Sequence, residues 1–205
     1  MITLHHLNKS RSKRIIWLLE ELELEYEIKP YLRDSVSFLA PPELKSIHPL
    51  GKSPVIEDDG LIISESGAIT DYLIEKYGKG KLAPKRGTNA YVEYSQWLHF
   101  AEGSAMLPLL LKLFVAKDGC ETNFLAGYAD AETLKILTYF NQSLEGKTYL
   151  VDEQLTGADI MMSMIVETLV NNGSIETFPN LARYAKQLAS HEAFQKADQV
   201  EAKFS

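Results

Sequence analysis

The sequence predicts a small mixed α/β domain followed by an all-helical one. Three observations predict it. Short apolar runs of strand length alternate with helix-period segments only up to residue 78. The stretch Gly78-Lys79-Gly80-Lys81-Leu82-Ala83-Pro84-Lys85-Arg86-Gly87 then breaks the composition with glycine, lysine and proline. Beyond it come long helical periods and no strand candidate of comparable strength. The expected boundaries are residues 1–78 for the α/β domain, 79–87 for a linker and 88–205 for the helical domain. A chain of 205 residues with 45% hydrophobic content can supply a core to each.

The elements follow in order. Ile2–His6 reads as a first strand. From Arg14 to Leu24, Ile15, Ile16, Leu18, Leu19 and Leu22 fall at helical spacing, with Glu20, Glu21 and Glu23 outside it. Tyr26–Leu32 reads as a second strand. Pro41-Pro42-Glu43 opens a short helix that ends near His48-Pro49. Two strands are expected around Pro54–Glu57 and Leu61–Ile63, joined by the turn Glu57-Asp58-Asp59-Gly60. Ser66–Tyr77 is amphipathic and stops at Gly78. In the second domain Thr88–Lys117 is a long helical pattern with a bend expected at Pro108. Thr122–Leu144, the strongly apolar Thr156–Asn171 and Pro179–Ser190 follow. Thr156–Asn171 is expected to be a buried central helix, capped by Thr156 with Asp159 reaching back to the Thr156 N–H.

Charge and cysteine usage narrow the function classes. Net charge is −7, unevenly spread. Residues 1–87 balance 13 Lys/Arg against 13 Asp/Glu, whereas residues 88–205 hold 8 against 15. An acidic second half argues against a nucleic-acid surface there. The lone Cys120 excludes an intrachain disulfide and a cysteine zinc site, and the five histidines show no metal-ligand spacing. No metal is expected. The first residues lack a signal-peptide pattern, and no apolar stretch approaches the roughly 20 residues that span a bilayer. A soluble cytoplasmic protein with no membrane partner is the expectation.

The most informative stretch is Gly51-Lys52-Ser53-Pro54-Val55-Ile56, followed by Ser64-Glu65-Ser66-Gly67-Ala68-Ile69. A cis bond at Ser53-Pro54 would turn the strand so that the N–H and C=O of Val55 pair with an extended peptide ligand. The alternative is that Pro54 only starts an edge strand. Ser66 at a helix start offers a hydroxyl and a backbone N–H to a carboxylate, and Glu65 can receive an ammonium. Together they match an α-amino-acid end. The alternative is helix capping beside a solvated glutamate.

Ser53-Pro54-Val55 and Glu65-Ser66, in an α/β domain joined to a helical one, resemble the cytosolic glutathione transferase family. The serine-type or bacterial/fungal-like members are the ones meant. Thr156-Gly157-Ala158-Asp159 resembles that family's capping box. The resemblance covers essentially the whole chain. It implies a thioredoxin-like N-terminal domain with a C-terminal helical bundle, glutathione as co-substrate, an electrophilic and largely apolar second substrate, and a homodimer. It implies that Pro54 is a cis-proline, that Val55 pairs with the cysteinyl backbone, and that Glu65 and Ser66 hold the γ-glutamyl end. Lys52 is then either a contact for the glycyl carboxylate or a solvated lysine.

Such a reaction needs the glutathione thiolate. An ordinary thiol ionises near about 8.5. A hydrogen bond to a charged group is worth about 1.5–3 kcal/mol, enough to lower that value by roughly one to two units. The donor should lie in Asn8-Lys9-Ser10-Arg11-Ser12-Lys13-Arg14. Neither tyrosine nor cysteine is there, which leaves serine. Ser10, four residues before Arg14, resembles the serine-type spacing. Ser12 is the rival, or a simple helix cap, and the Arg11 guanidinium is a third option. The cationic run reads as a field for an anionic tripeptide or as a solvated loop. Three functions follow as expectations: a glutathione transferase, a glutathione-dependent disulfide reductase or peroxidase, and a non-enzymatic module that keeps the fold.

Overall fold

In the computed structural model, which describes residues 1–204, the chain divides into two compact units. One is Met1–Ala83 together with the chain from Leu188 onward, and the other is Pro84–Gln187. The expected division by chain order ran a single helical domain from residue 88 to the end. The contacts assign the last helix to the first unit instead.

The first unit is built on β1 (Ile2–Leu7), β2 (Tyr26–Tyr31), β3 (Val55–Asp58) and β4 (Leu61–Ser64), ordered β2-β1-β3-β4. β1 is parallel to β2, in register Leu4 to Ile28. A parallel pair needs a crossover, and helix α1 (Ser12–Glu21) supplies it. β3 is antiparallel to β1, with Val55 opposite His5, and β4 is antiparallel to β3, with Ser64 opposite Val55. Leu4, Ile15, Ile16, Leu18, Leu19, Ile56, Ile69 and Leu73 are fully buried, so the apolar stripe of α1 and that of α2 (Ser66–Tyr77) line the core. The short helix after Pro41 is a 3-10 turn, Pro42–Ser46.

Helix α8 (Glu192–Ala202), absent from the sequence reading, closes this unit against α1. Phe194 packs edge-on to Trp17 at 5.0 Å, Ala197 is buried, and Lys13 pairs with Asp198. Its apolar side is a narrow strip in a polar sequence, too sparse to register as a period.

The second unit holds α3 (Asn89–Phe100), α4 (Met106–Asp118), α5 (Leu125–Ser143), α6 (Gly157–Asn171) and all but the last two residues of α7 (Pro179–Ala189). A π segment, Ala101–Ala105, joins α3 to α4 without a break. Its position has a cause: Pro108 cannot donate to the carbonyl four residues back, at Ser104, and the widened turn lies there. Gly119, at φ 66°, ends α4 in the left-handed region that suits glycine. The joined helix, Asn89–Asp118, is 30 residues long and apolar enough to cross a membrane by length and composition alone. That corrects the expectation that no stretch comes near such a length. Tyr94, Trp97, Ala101, Ala105 and Met106 on it are buried, while Val92, Leu107, Leu113 and Phe114 are exposed. α6 is the buried helix expected, with Ile160, Met161, Met162 and Ile165 fully enclosed. Its capping box is formed: the Ala158 N–H donates to Thr156 Oγ1 at 3.3 Å, and the Thr156 N–H donates to Asp159 Oδ2 at 2.8 Å.

Candidate functional site

Topology brings the singled-out residues to one edge of the sheet. That edge carries the C-terminal end of β1, the start of β3 and the end of β4, because β3 runs against both neighbours. The loop from Asn8 to Arg11 leaves β1 there, and α1 begins there. α2 begins directly after β4.

The Ser53-Pro54 bond is cis. The Ser53 hydroxyl donates to the His5 carbonyl at 2.8 Å and accepts the Leu7 N–H at 3.1 Å, which ties the step to the end of β1. β3 is an interior strand, so the edge-strand alternative for Pro54 is incorrect. Val55 is buried, with partners in β1 and β4 on either side, so the open end of the strand is the step ahead of it. Lys52 is exposed.

Glu65 is the N-cap of α2 and holds φ 68°, ψ 114°. A left-handed φ at a non-glycine residue costs on the order of 1–3 kcal/mol, and the Ile69 N–H bond to the Glu65 carbonyl, 2.9 Å, helps hold it. Its side chain makes no capping bond and is exposed. Ser66, the first residue of α2, is buried, and its Oγ accepts from Arg14 Nη2 at 2.6 Å. Arg14 is itself buried. A guanidinium thus stands at the positive end of α2, where an anion is favoured. The role of Arg14 at Ser66 depends on a contact 52 residues away in sequence.

Ser10 and Ser12 are joined. Their hydroxyl oxygens lie 2.9 Å apart, and the Ser12 N–H donates to Ser10 Oγ at 3.1 Å. Ser12 is not the helix cap: it is the first residue of α1, and the N-cap, Arg11, makes no side-chain capping bond. Ser12 Oγ is fully buried and lies 2.7 Å from His6 Nδ1 and 3.2 Å from the Leu7 carbonyl. Ser10 and Arg11 are half-buried. His6 Nε2 in turn faces Glu201 Oε2 of α8 at 3.2 Å, and Glu201 Oε1 accepts the Lys9 N–H at 2.8 Å. Burial lowers the His6 pKa below the ordinary histidine value, and the Glu201 carboxylate opposes this. Asn8 and Arg33 hold the loop from the other side: the Arg33 N–H donates to Asn8 Oδ1 at 2.7 Å.

The cationic run is therefore no open basic face, since Lys13 pairs with Asp198 and Arg14 is buried on Ser66. Cys120 is exposed in the other unit, and burial is a lesser effect there than its S–H bond to Asp118, which raises its pKa. Among the described residues, no group of His, Cys, Asp or Glu could hold a metal ion.

Residues 1–75 match the family "Glutathione S-transferase, N-terminal domain", and residues 106–192 match "Glutathione S-transferase, C-terminal domain". Glutathione S-transferase 3 of Schizosaccharomyces pombe is 37% identical over 79% of this chain and 72% of its own length. Glutathione S-transferase 1 of Saccharomyces cerevisiae is 32% identical over 95% and 92%. A glutathione S-transferase structure from Actinobacillus pleuropneumoniae superposes with a TM-score of 0.89 at 38% identity, over 98% of this chain and 93% of that one. The glutathione transferase URE2P6 of Phanerochaete chrysosporium, in complex with oxidized glutathione, superposes with a TM-score of 0.84 at 26% identity, over 100% and 97%.

Proposed function

We propose, for a chain that belongs to the glutathione transferase family, that it ionises the glutathione thiol at Ser10 and adds the sulfur to an electrophilic, largely apolar molecule. The carrying observation is that the Ser53-Pro54 step, the start of α2 and the Ser10 loop lie at one sheet edge. In this reading the γ-glutamyl carboxylate meets the Ser66 N–H and hydroxyl, with the Arg14 guanidinium behind them, and its ammonium meets Glu65. The cysteinyl backbone pairs along Ser53-Pro54-Val55, and Lys52 takes the glycyl carboxylate. The sulfur then reaches the Ser10 hydroxyl. Ser12 is buried and bonded to His6, which favours Ser10 as the direct donor. Arg11 contributes positive field at the same loop.

Replacing Ser10 by alanine removes a bond worth about 1.5–3 kcal/mol to the thiolate, so turnover of an activated aryl halide should fall roughly ten- to a hundredfold. Unchanged turnover would reject Ser10 as the donor. A second reading, reduction of disulfides or hydroperoxides, is favoured by one observation: the chain's single thiol, Cys120, is in the other unit. Glutathione would then supply both sulfur atoms. Parallel assays with an aryl halide, a small disulfide and a hydroperoxide distinguish the two. A homodimer belongs to the same proposal, supported by exposed Leu107, Phe114, Phe124, Tyr128 and Leu134 in the second unit. A sedimentation mass of one subunit at micromolar protein would contradict it. The cytoplasm is the compartment that fits a thiol co-substrate and a free cysteine.

A further inference from the structure

We infer that His6, held by Glu201 of the C-terminal helix, takes up the proton that glutathione loses, through Ser12 and Ser10. The inference rests on Ser10 as the group that meets the sulfur.

Four side chains stand in line from the site to α8. Ser10 Oγ is 2.9 Å from Ser12 Oγ, which is 2.7 Å from His6 Nδ1, and His6 Nε2 is 3.2 Å from Glu201 Oε2. The relay sets the proton positions: it uses the tautomer with the ring proton on Nε2, which lies at ion-pair distance from the Glu201 carboxylate, and leaves Nδ1 as an acceptor. In that tautomer the Ser12 O–H, which also reaches the Leu7 carbonyl at 3.2 Å, donates to the nearer Nδ1 at 2.7 Å, and the Ser10 O–H donates to Ser12. Ser10 Oγ accepts the Ser12 N–H at 3.1 Å and keeps a lone pair for an incoming S–H. The resting chain runs inward: thiol to Ser10 to Ser12 to His6.

Ionisation reverses every bond of that chain. The S–H bond breaks and its proton forms a new O–H on Ser10. The former Ser10 proton passes to Ser12, and the former Ser12 proton passes to Nδ1. Thiol and neutral imidazole become thiolate and imidazolium. Both serines are regenerated, Glu201 stays a carboxylate and total charge is unchanged. The bonds now run outward: Nδ1–H to Ser12, Ser12 O–H to Ser10, Ser10 O–H to the sulfur. That is the arrangement a thiolate needs, and a hydroxyl alone does not dictate it. After the thioether forms, the imidazolium returns its proton along the same hydroxyls to water.

The surroundings fit the task. His6 is fully buried, so burial keeps it neutral at rest, as an acceptor must be. Among the described residues the charged group facing it is Glu201 on α8, while α1 presents Ser12 and the segment after α8 presents the Phe204 ring at 5.6 Å. At 3.2 Å the Nε2–Glu201 separation is an ion-pair distance that shortens once the ring is charged. The Lys9 N–H fixes the other Glu201 oxygen at 2.8 Å, so the carboxylate cannot swing away. His6, Ser12 and Glu201 are positioning residues, since all act on the sulfur through Ser10.

Glu201→Gln tests this sharply. Its carbonyl keeps the Lys9 bond, and its NH2 then faces Nε2 and moves the ring proton to Nδ1, which closes the acceptor. His6→Asn keeps a bond to Ser12 but cannot hold a proton, and it serves if the first variant does not fold. The readouts are the ultraviolet titration of bound glutathione thiolate, and kcat against KM with an activated aryl halide. Each variant should raise the thiol pKa by about one unit and lower kcat about tenfold at neutral pH, with KM for glutathione within about twofold. In a Ser10→Ala background neither should lower kcat further. Wild-type thiolate titration in both variants, with Ser10→Ala impaired, overturns the relay and leaves the Ser10 reading standing. Equal losses in both backgrounds with no change in thiol pKa also overturn it, as a structural role. An unimpaired Ser10→Ala overturns both readings at once.

Discussion

His5 and His6 are neighbours on β1, so their side chains leave opposite faces of the sheet, and both are fully buried. His5 meets Tyr31 Oη at 3.0 Å and His6 meets Ser12 at 2.7 Å. Burial lowers the pKa of both; Lys29 adds to this at His5, against Glu57, and Glu201 opposes it at His6. A lowered value in the folded state means that the unfolded chain binds more protons in acid. The stability is fully present above about 6.5, the unfolded value, and is lost as pH falls from there through the lower folded values. The melting temperature should therefore drop between about pH 7 and about pH 5, and His5→Gln should flatten the drop. An unchanged melting curve over that range would refute it. No spacing in the sequence distinguishes these two histidines from the exposed His99; only the packing around β1 does.

The elements differ in how openly the sequence announces them. α6 is the plainest, with an apolar run and a capping box at its start. The structure adds the reason Asp159 is more than a cap. Its carboxylate accepts from the Leu150 N–H at 3.0 Å, the Thr156 N–H at 2.8 Å, the Thr156 hydroxyl at 2.9 Å and Tyr184 Oη at 2.6 Å. Asp159→Ala would leave four buried donors without an acceptor and should cost about 3 kcal/mol or more, a fall of roughly 10 °C in Tm. Asp159→Asn, which keeps the shape and part of the bonding, should lose less. A scan showing equal Tm for wild type and Asp159→Ala would sink this. α2 is the opposite case. Its ends are legible from Ser66 and Gly78, but the Arg14 contact that gives its start a function comes from another helix.

At the scale of the whole molecule, the C-terminal helix matters most. α8 packs on α1 and supplies Glu201 to the loop after β1. A chain ended at Ser190 would expose Trp17 and unbind Lys9, Lys13 and His6 from their α8 partners. It should lose glutathione binding by calorimetry and unfold in the first unit at lower denaturant. Phe194→Ala, which removes one ring from that contact, should cost about 3–4 kcal/mol. Retained binding and an unshifted midpoint in the truncated chain would contradict this. By itself the sequence determined the strands, the main helices, the composition break and the Pro54 and Glu65-Ser66 positions, because period, turn residues and caps are local signals carried by neighbouring side chains. The tertiary structure alone decided that β3 is interior, that Arg14 stands on Ser66, and that a polar C-terminal segment folds back so that Glu201 reaches His6. Those facts depend on groups that lie 52 and 195 residues apart in the chain, and no local pattern encodes which distant side chains will share one buried space.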